Sequence, residues 1–384
     1  MLYLAHQNKN SLKWLSGLSV VVFLVTLYFG LRPKDFDFSN NVGWIHDHTG
    51  IRFDKYGIAY TDPIQELRDK NGFGENGFSL EIALRPSNND EGFNFIILLY
   101  NGDDRSQLLL GQWRSWIIAM NGDDYDHKRR TKRIAVDSAS RSSAIQFITL
   151  ATGKDGTKVY IDGRLIRTEK DPALSIPQGE KARLIVGNSA YGRNPWRGDI
   201  CGLAFYRHVL TGQDAALHFN KWSQDRDFSF AKNVKPFLLY YFDEKEGAKV
   251  SDHAGGKHHL NIPSRMPILK KDMLSLPWKG FKFDNGNVED IVLNWAGFIP
   301  LGFIFAATFA RAGSKHSILI AVALCFTVSL FIEIVQAWLP SRSSDLLDLI
   351  LNTLGGLLGA ITYSYISHRK GAKCAKGNKV GWLS

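Results

Sequence analysis

Apolar residues in this chain gather in four long blocks, and the stretch between the first and second block keeps a different rhythm. "WLSGLSVVVFLVTLYFGL", 14–31, is uncharged throughout; at about 1.5 Å per helical residue it is long enough to cross the hydrocarbon core of a bilayer. Three further spans are predicted at 288–310, 317–339 and 346–367. From 35 to 285 the apolar residues alternate with polar ones or form short runs closed by Gly, Asn and Asp. "TKVYIDGRLIRT", 157–168, puts Val159 and Ile161 on one face and centres on Asp162-Gly163, a pair suited to the positive φ angles of a type I′ hairpin turn. "NGDD" closes two apolar runs, at 101–104 after FIILLY and at 121–124 after WIIAM. Further strands are predicted at Phe78–Leu84, Ile145–Ala151, Ala182–Gly187, Asp199–Arg207 and Phe237–Phe242, with "TGQDAALHFNKW" as a short helix at an edge. Many short strands with turns between them read as an antiparallel sandwich. The fold class is therefore mixed: an all-β antiparallel sandwich outside the membrane plus an α-helical transmembrane bundle of four spans.

Basic residues orient the spans. Lys9 and Lys13 precede the first block, and "RPKDFDF" follows it in place of a small-residue cleavage site, so a retained signal anchor is expected. The tail "HRKGAKCAKGNK" is strongly basic, which places the C-terminus in the cytoplasm. Counting back, the loop with Arg311 and Lys315 faces inward, "LPSRSSD" faces outward, and the sandwich lies outside with the N-terminus inside. Arg32 and Lys34 dissent, diluted by Asp35 and Asp37. The expected divisions are 1–34 (cytoplasmic N-terminus and anchor), 35–265 (sandwich), 266–287 (linker), 288–367 (three-helix membrane domain) and 368–384 (basic tail). Of the three cysteines only Cys201 falls outside, so no disulfide framework is expected.

Polar residues concentrate where lipid would penalise them. Glu333 lies about 9 Å inside the outer end of its span, and Asn294 and Asn352 lie at a similar depth in theirs. Helical spacing puts Asp290 with Asn294, Glu333 with Gln336, and Asp345 with Asp348 and Asn352 on shared faces. Such groups should face the bundle interior or a wet cavity. The simplest arrangement is one polar pocket open to the outer leaflet and lidded by "PSRSS", with Arg342 at its rim. The structural alternatives stand beside it. Asp345 suits an N-cap, Asp348 a first helical turn, the two asparagines interhelical hydrogen bonds, and Arg342 an interfacial anchor. Gly355 and Gly359 read as a close-packing face, and Pro300 as a bend.

Two resemblances sharpen this picture. "FSLEIALRPS", "ITLATGKDGTKVYIDGRLI" and "RLIVGNSAYGRNPWRGDICGLAFYRHVLT", with "LLYYFDEKEGAKVSDHAGGKHHLNIP" at 238–263, resemble a laminin-G/concanavalin A-like lectin domain over about 40–265, which implies a jelly roll. Glycanases of that fold need paired carboxylates, and the E-x-D-x-x-E strand is absent, so hydrolysis is disfavoured. Trp113, Trp116, Tyr191 and Trp196 are candidates to stack on sugar rings, although packing is the commoner role of any one of them. Asp123, Asp124 and Asp126 are a conceivable Ca²⁺ set, but a solvated loop beside the basic run 127–133 explains them as well; no cofactor or metal is expected, and His253, His258 and His259 read as loop residues. "VEDIVLNWAGFIPLGFIF", 288–305, and "SLFIEIVQAWLPSRSSDLLDLILNTLGGLLGA", 329–360, are similar to the VanZ-like family. They carry its N-x-x-x-F-x-P-x-G, E-x-x-Q and D-x-x-x-N-x-x-G-x-x-x-G marks in order. That family is named for a teicoplanin-resistance protein, and the resemblance implies a bacterial cell-envelope role in the inner membrane.

The function expected is an integral membrane envelope protein. Its sandwich binds a surface glycan, and its bundle binds a membrane lipid or lipid-linked glycan precursor. Envelope-assembly proteins are possible partners, and nucleic acid is not expected. One alternative is a membrane enzyme acting on a lipid-linked glycan or phospholipid head group, with Glu333 or Asp345 as base; the bundle motif lacks a nucleophile or metal set, which counts against it. The other is a scaffold subunit of a polysaccharide-export assembly.

Overall fold

The computed structural model describes residues 2–32, 39–67, 77–87, 92–138, 144–171, 173–255, 257–276, 285–339 and 342–380, with backbone only for 2–10, 285–290 and 370–380. Two units separate: Asp37–Lys270, and Met1–Phe36 together with Lys271–Ser384. The helices are α1 (Leu2–Leu31), α2 (Gly212–Asp225), α3 (Asn285–Gly297), α4 (Ile299–Arg311), α5 (Ser317–Gln336) and α6 (Leu346–Val380). The first eight strands are β1 (Val42–Trp44), β2 (Ile51–Phe53), β3 (Ala59–Thr61), β4 (Phe78–Pro86), β5 (Asn94–Tyr100), β6 (Leu108–Trp113), β7 (Trp116–Asn121) and β8 (Arg133–Asp137). The rest are β9 (Gln146–Gly153), β10 (Gly156–Ile161), β11 (Arg164–Glu169), β12 (Arg183–Val186), β13 (Gly198–Tyr206), β14 (Leu238–Tyr240), β15 (Lys249–Val250) and β16 (Leu260–Asn261).

These strands make two antiparallel sheets. The first runs β1-β2-β13-β4-β9-β10-β11, with β14 also on β13; the second runs β15-β16-β3-β12-β5-β6-β7-β8. Alternate residues of both sheets, such as Leu80, Ile82 and Phe205 of one and Leu99, Leu110 and Leu184 of the other, meet in a shared core. Several strands are buried on both faces, which is why FIILLY reads as a continuous apolar run rather than an alternating one. The back of the second sheet is covered by Phe93, Met266 and their neighbours. The back of the first is covered by α2 and the 3₁₀ turn Ser229–Val234, with Trp222 and Phe228 lying over Phe147. Helix α2 therefore lies on a sheet face, not at the edge the sequence suggested. Its start is fixed by a capping box between Thr211 and Asp214. The Asp162-Gly163 turn has φ of 50° and 72°, as the pattern predicts for a type I′ turn.

In the other unit, four helices are long and apolar enough to cross a membrane. The second of them is broken at Phe298, where α3 ends and α4 begins; Pro300 at the head of α4 has no N–H to donate across the break. A Cβ on Gly302 would strike the Gly356 carbonyl, and one on Gly359 would strike the Ile299 carbonyl, so α4 and α6 touch backbone to backbone. Helix α1 packs Val22, Phe23 and Leu27 against Leu301, Val328 and Ile332, and Ser19 shares a 2.9 Å hydrogen bond with Thr308.

Candidate functional site

The polar residues of the helical unit resolve into three groups. In the first, Glu333, 1% exposed on α5, accepts a 2.9 Å hydrogen bond from the Asp345 backbone N–H. A carboxyl oxygen here satisfies an otherwise orphaned donor at the start of α6. Ser275 completes the cap, because its carbonyl accepts from Leu346 N–H at 3.1 Å and its own N–H donates to the Ser344 carbonyl at 2.8 Å. In the second group, Asn352 donates to the Ser329 hydroxyl at 3.0 Å. Ser329 stands one turn from Glu333, so both groups line the α5–α6 seam. Asn352 Oδ1 is buried and has no hydrogen-bond partner among the described residues.

The third group faces elsewhere. Gln336 donates to the Gly30 carbonyl at 2.7 Å, and Arg342 donates to the Arg32 carbonyl at 2.7 Å. Both cover the carbonyls left over at the C-terminal end of α1, where a cation is also electrostatically favoured. The participation of α1 is missed by a sequence reading confined to the last three spans. The available signal is Gly30-Leu31-Arg32-Pro33, a helix stop with carbonyls to satisfy. Asp348 is half-buried in the first turn of α6, and Asn294 is half-buried on α3. The Asp290 side chain, and Pro340 and Ser341 of the expected lid, lie outside the described residues.

In the sandwich, Trp113 and Trp116 are cross-strand partners flanking the two-residue turn of the β6–β7 hairpin, 41% and 36% exposed. The Arg114 guanidinium lies 5.1 Å from the Trp113 ring centroid. Trp196 must be corrected: it is 0% exposed and its indole N–H donates to Gln112 at 2.6 Å, so no ring face is open to a sugar. Tyr191 is half-buried, donates to Asp104 at 2.7 Å, and has Arg193 and Lys270 each 5.5 Å from its ring centroid. It stands apart from the tryptophan pair. The Asp124 carboxylate accepts from Arg129 N–H at 3.1 Å and from Thr131 N–H and hydroxyl at 2.9 Å each, while Asp123 pairs with Arg129 and Asp126 with Lys128. That acidic loop is stapled to the basic run by its own donors. Burial works against ionisation of Asp124, but the Thr131 and Arg129 bonds outweigh it and hold its pKa below the usual value. Asp243, Glu244 and His253 bring one ligand atom each within 4.8 Å of one another, the set among the described residues that offers itself to a cation.

Two family models match. The VanZ/LLP1 model covers residues 237–367, and the concanavalin A-like lectin/glucanases superfamily model covers 61–216. This chain joins a concanavalin A-like domain to a VanZ-like domain. With its four apolar helices it is a membrane protein bearing a lectin-like sandwich. Among solved structures, a Bacteroides ovatus protein described as carbohydrate-binding is 12% identical at a TM-score of 0.36, covering 57% of this chain and 61% of its own. A Trypanosoma rangeli sialidase in complex with sialic acid is 15% identical at 0.38, over 49% and 29%. The binding domain of botulinum neurotoxin DC, in complex with rat synaptotagmin II, is 16% identical at 0.35, over 48% and 45%. The chain thus spans less than two thirds of each, and likenesses this distant carry no functional weight. No curated protein matches the chain.

The three VanZ-like marks acquire distinct positions. Phe298 and Pro300 sit at the α3–α4 break, Gly302, Gly355 and Gly359 at backbone contacts, and Glu333, Gln336 and Asn352 at the hydrogen bonds above. In the concanavalin A-like domain, a buried carboxyl escaped the sequence reading. Glu81, 0% exposed on β4, accepts from Thr149 at 3.0 Å and Tyr206 at 2.8 Å and meets His218 Nδ1 at 3.0 Å. Enclosed between the first sheet and α2, it is closed to solvent and fastens the helix through His218. Nothing in the alternation around "SLEIA" distinguishes it from an exposed glutamate.

Proposed function

We propose that this protein is a membrane-held glycan-binding protein of a bacterial inner membrane, with its sandwich on the outer side and both termini in the cytoplasm. The observation that carries the reading is the Trp113–Trp116 pair, two exposed indoles held side by side on a rigid hairpin of a lectin-like sandwich. Apolar sugar faces stack on such surfaces, and strand geometry fixes the platform before the ligand arrives. In nanodiscs, the full chain should retain oligosaccharides from a cell-wall digest, and Trp113→Ala with Trp116→Ala should lose most of that binding while the melting temperature stays unchanged. Unaltered retention by the double variant would overturn the assignment to the hairpin.

For the bundle, the supporting observation is Asn352 Oδ1, a buried acceptor without a partner among the described residues on the seam that also holds Glu333. This favours a lipid or lipid-linked precursor whose head-group hydroxyl enters between α5 and α6, in service of envelope or polysaccharide assembly or glycopeptide tolerance. Mass spectrometry of lipids retained by gently purified protein tests it. An Asn352→Leu variant that keeps the same lipid complement refutes it.

A further inference from the structure

The segment 241–253, which leaves β14 and returns along β15, gathers Asp243, Glu244 and His253, and the glycan-binding reading uses none of them. Each is positioned by a different contact. Glu244 Oε1 accepts from the Ser251 N–H at 2.5 Å, which ties this carboxyl to the far side of the turn. The His253 N–H donates to the Leu239 carbonyl at 2.8 Å, and its ring lies flat on Tyr241, with centroids 4.1 Å apart and planes 15° from parallel. Asp243 is the exposed arm, and its Oδ1 stands 3.9 Å from His253 Nε2. Phe242 and Lys245, on either side of the two acids, have φ of 58° and 65°, a conformation that non-glycine residues hold only where their surroundings impose it. Two of the three side chains are thus fixed by backbone hydrogen bonds and ring stacking, as a preorganised site requires.

A separate observation concerns what these side chains lack. Glu244 Oε2 and His253 Nε2 are shut off from water, and neither has a hydrogen-bond partner among the described residues. Asp243 does not supply one, because 3.9 Å is too long for a hydrogen bond. A plain histidine–aspartate ion pair would still leave Glu244 Oε2 unmatched. Buried polar atoms left unmade are costly, and native chains rarely tolerate two side by side. One cation between them satisfies both. The donor set of one imidazole nitrogen and two carboxylates suits zinc and its neighbours in the transition series; calcium takes six to eight oxygens. Ligand atoms around tetrahedral zinc stand about 3.4 Å apart. The set, now within 4.8 Å, closes to that spacing by rotation of the exposed Asp243 side chain.

We propose that Asp243, Glu244 and His253 bind a divalent transition ion of the zinc class. The ion clasps the two sides of the 241–253 turn. Three protein ligands leave a coordination position for water or for an oxygen of another molecule. The site stands independently of the tryptophan hairpin and of the membrane helices.

The test uses the untagged full chain in detergent, stripped with a chelator, dialysed, and titrated calorimetrically with zinc chloride and with calcium chloride. One zinc site per chain is expected, and calcium should not displace the metal. Glu244→Gln keeps an acceptor for the Ser251 N–H, and His253→Phe keeps the stack on Tyr241. Each should weaken zinc binding by about tenfold or more while the metal-free melting temperature stays at the parent value. At zinc about a hundred times its dissociation constant, the parent should melt about 5–10 °C higher than without metal, and the variants should not follow. Cobalt added in place of zinc should give visible ligand-field bands that His253→Phe removes. Absence of zinc binding, equal zinc binding by the parent and both variants, or a preference for calcium over zinc would each overturn the proposal.

Discussion

Glu81 offers a sharp separation between a carboxyl that holds the fold and one that works. Its replacement by alanine strips a common acceptor from Thr149, Tyr206 and His218, all buried. Removing one partner of a buried hydrogen-bonded ionic group costs about 3–5 kcal/mol, because the remaining polar groups are left unpaired. For a unit the size of Asp37–Lys270, each kcal/mol moves the melting temperature by about 2–4 °C, so a fall of about 6–20 °C is expected. The partners indicate how the loss is distributed. Tyr206, whose phenol is pushed far above its usual pKa by burial and by the Glu81 charge, is then buried with nothing to donate to, and His218 no longer fastens α2 to the sheet. Differential scanning fluorimetry on the full chain in detergent reads this directly, with Trp222 of α2 as an intrinsic reporter. Glu81→Gln, which keeps an acceptor oxygen, should lose roughly half as much. Glycan retention at a temperature where the variant is folded should match the parent. A shift below about 2 °C for Glu81→Ala would show that the network contributes nothing to stability and refute the reasoning.

Other consequences follow from the same geometry. Glu333→Gln retains an acceptor for the Asp345 N–H and should fold like the parent, whereas Glu333→Ala should lose about 1–3 kcal/mol by thermal unfolding in detergent; equal losses would mean that the cap is not what Glu333 supplies. Gly302→Val should force α4 away from α6 and cost more than about 3 kcal/mol, seen as lost expression or a lowered melting temperature; an unchanged protein would contradict the backbone contact with Gly356. Burial opposes the Asp199 charge, yet its bonds to Arg52 and Arg85 outweigh it and hold the folded pKa below the ordinary 3.8. That pairing therefore stabilises the sandwich above 3.8 and is lost as pH falls through the lower folded value. Acid titration of melting temperature should therefore show a decline below pH ~4 that Asp199→Asn flattens; a parallel curve for the variant would exclude Asp199 as a contributor. Burial pushes the Cys201 thiol up to about 12, and the residue is 2% exposed. It should resist alkylation until the domain unfolds, and rapid labelling of native protein would contradict that burial.

Local rules carried much of this protein. The four apolar blocks, the Asp162-Gly163 turn, the start of α2 and the bend before Pro300 follow from chain-local physics: side-chain transfer to lipid, the φ preference of glycine, a capping hydroxyl and a missing N–H. The need of the acidic and amide residues near the span ends for partners was likewise legible, since lipid tolerates such groups only when they are satisfied. Their partners were not, because a backbone carbonyl on α1 or an N–H at the start of α6 has no signature in residue type. The same holds in the sandwich. Exposed Trp113 and buried Trp196 read alike along the chain, and Arg52, Arg85 and Asp199 become one ion-paired group only when β2, β13 and β4 lie in register. A sequence records which groups need company; the pairing of distant strands and helices decides which company they have, because burial and hydrogen bonding act through space and not along the chain.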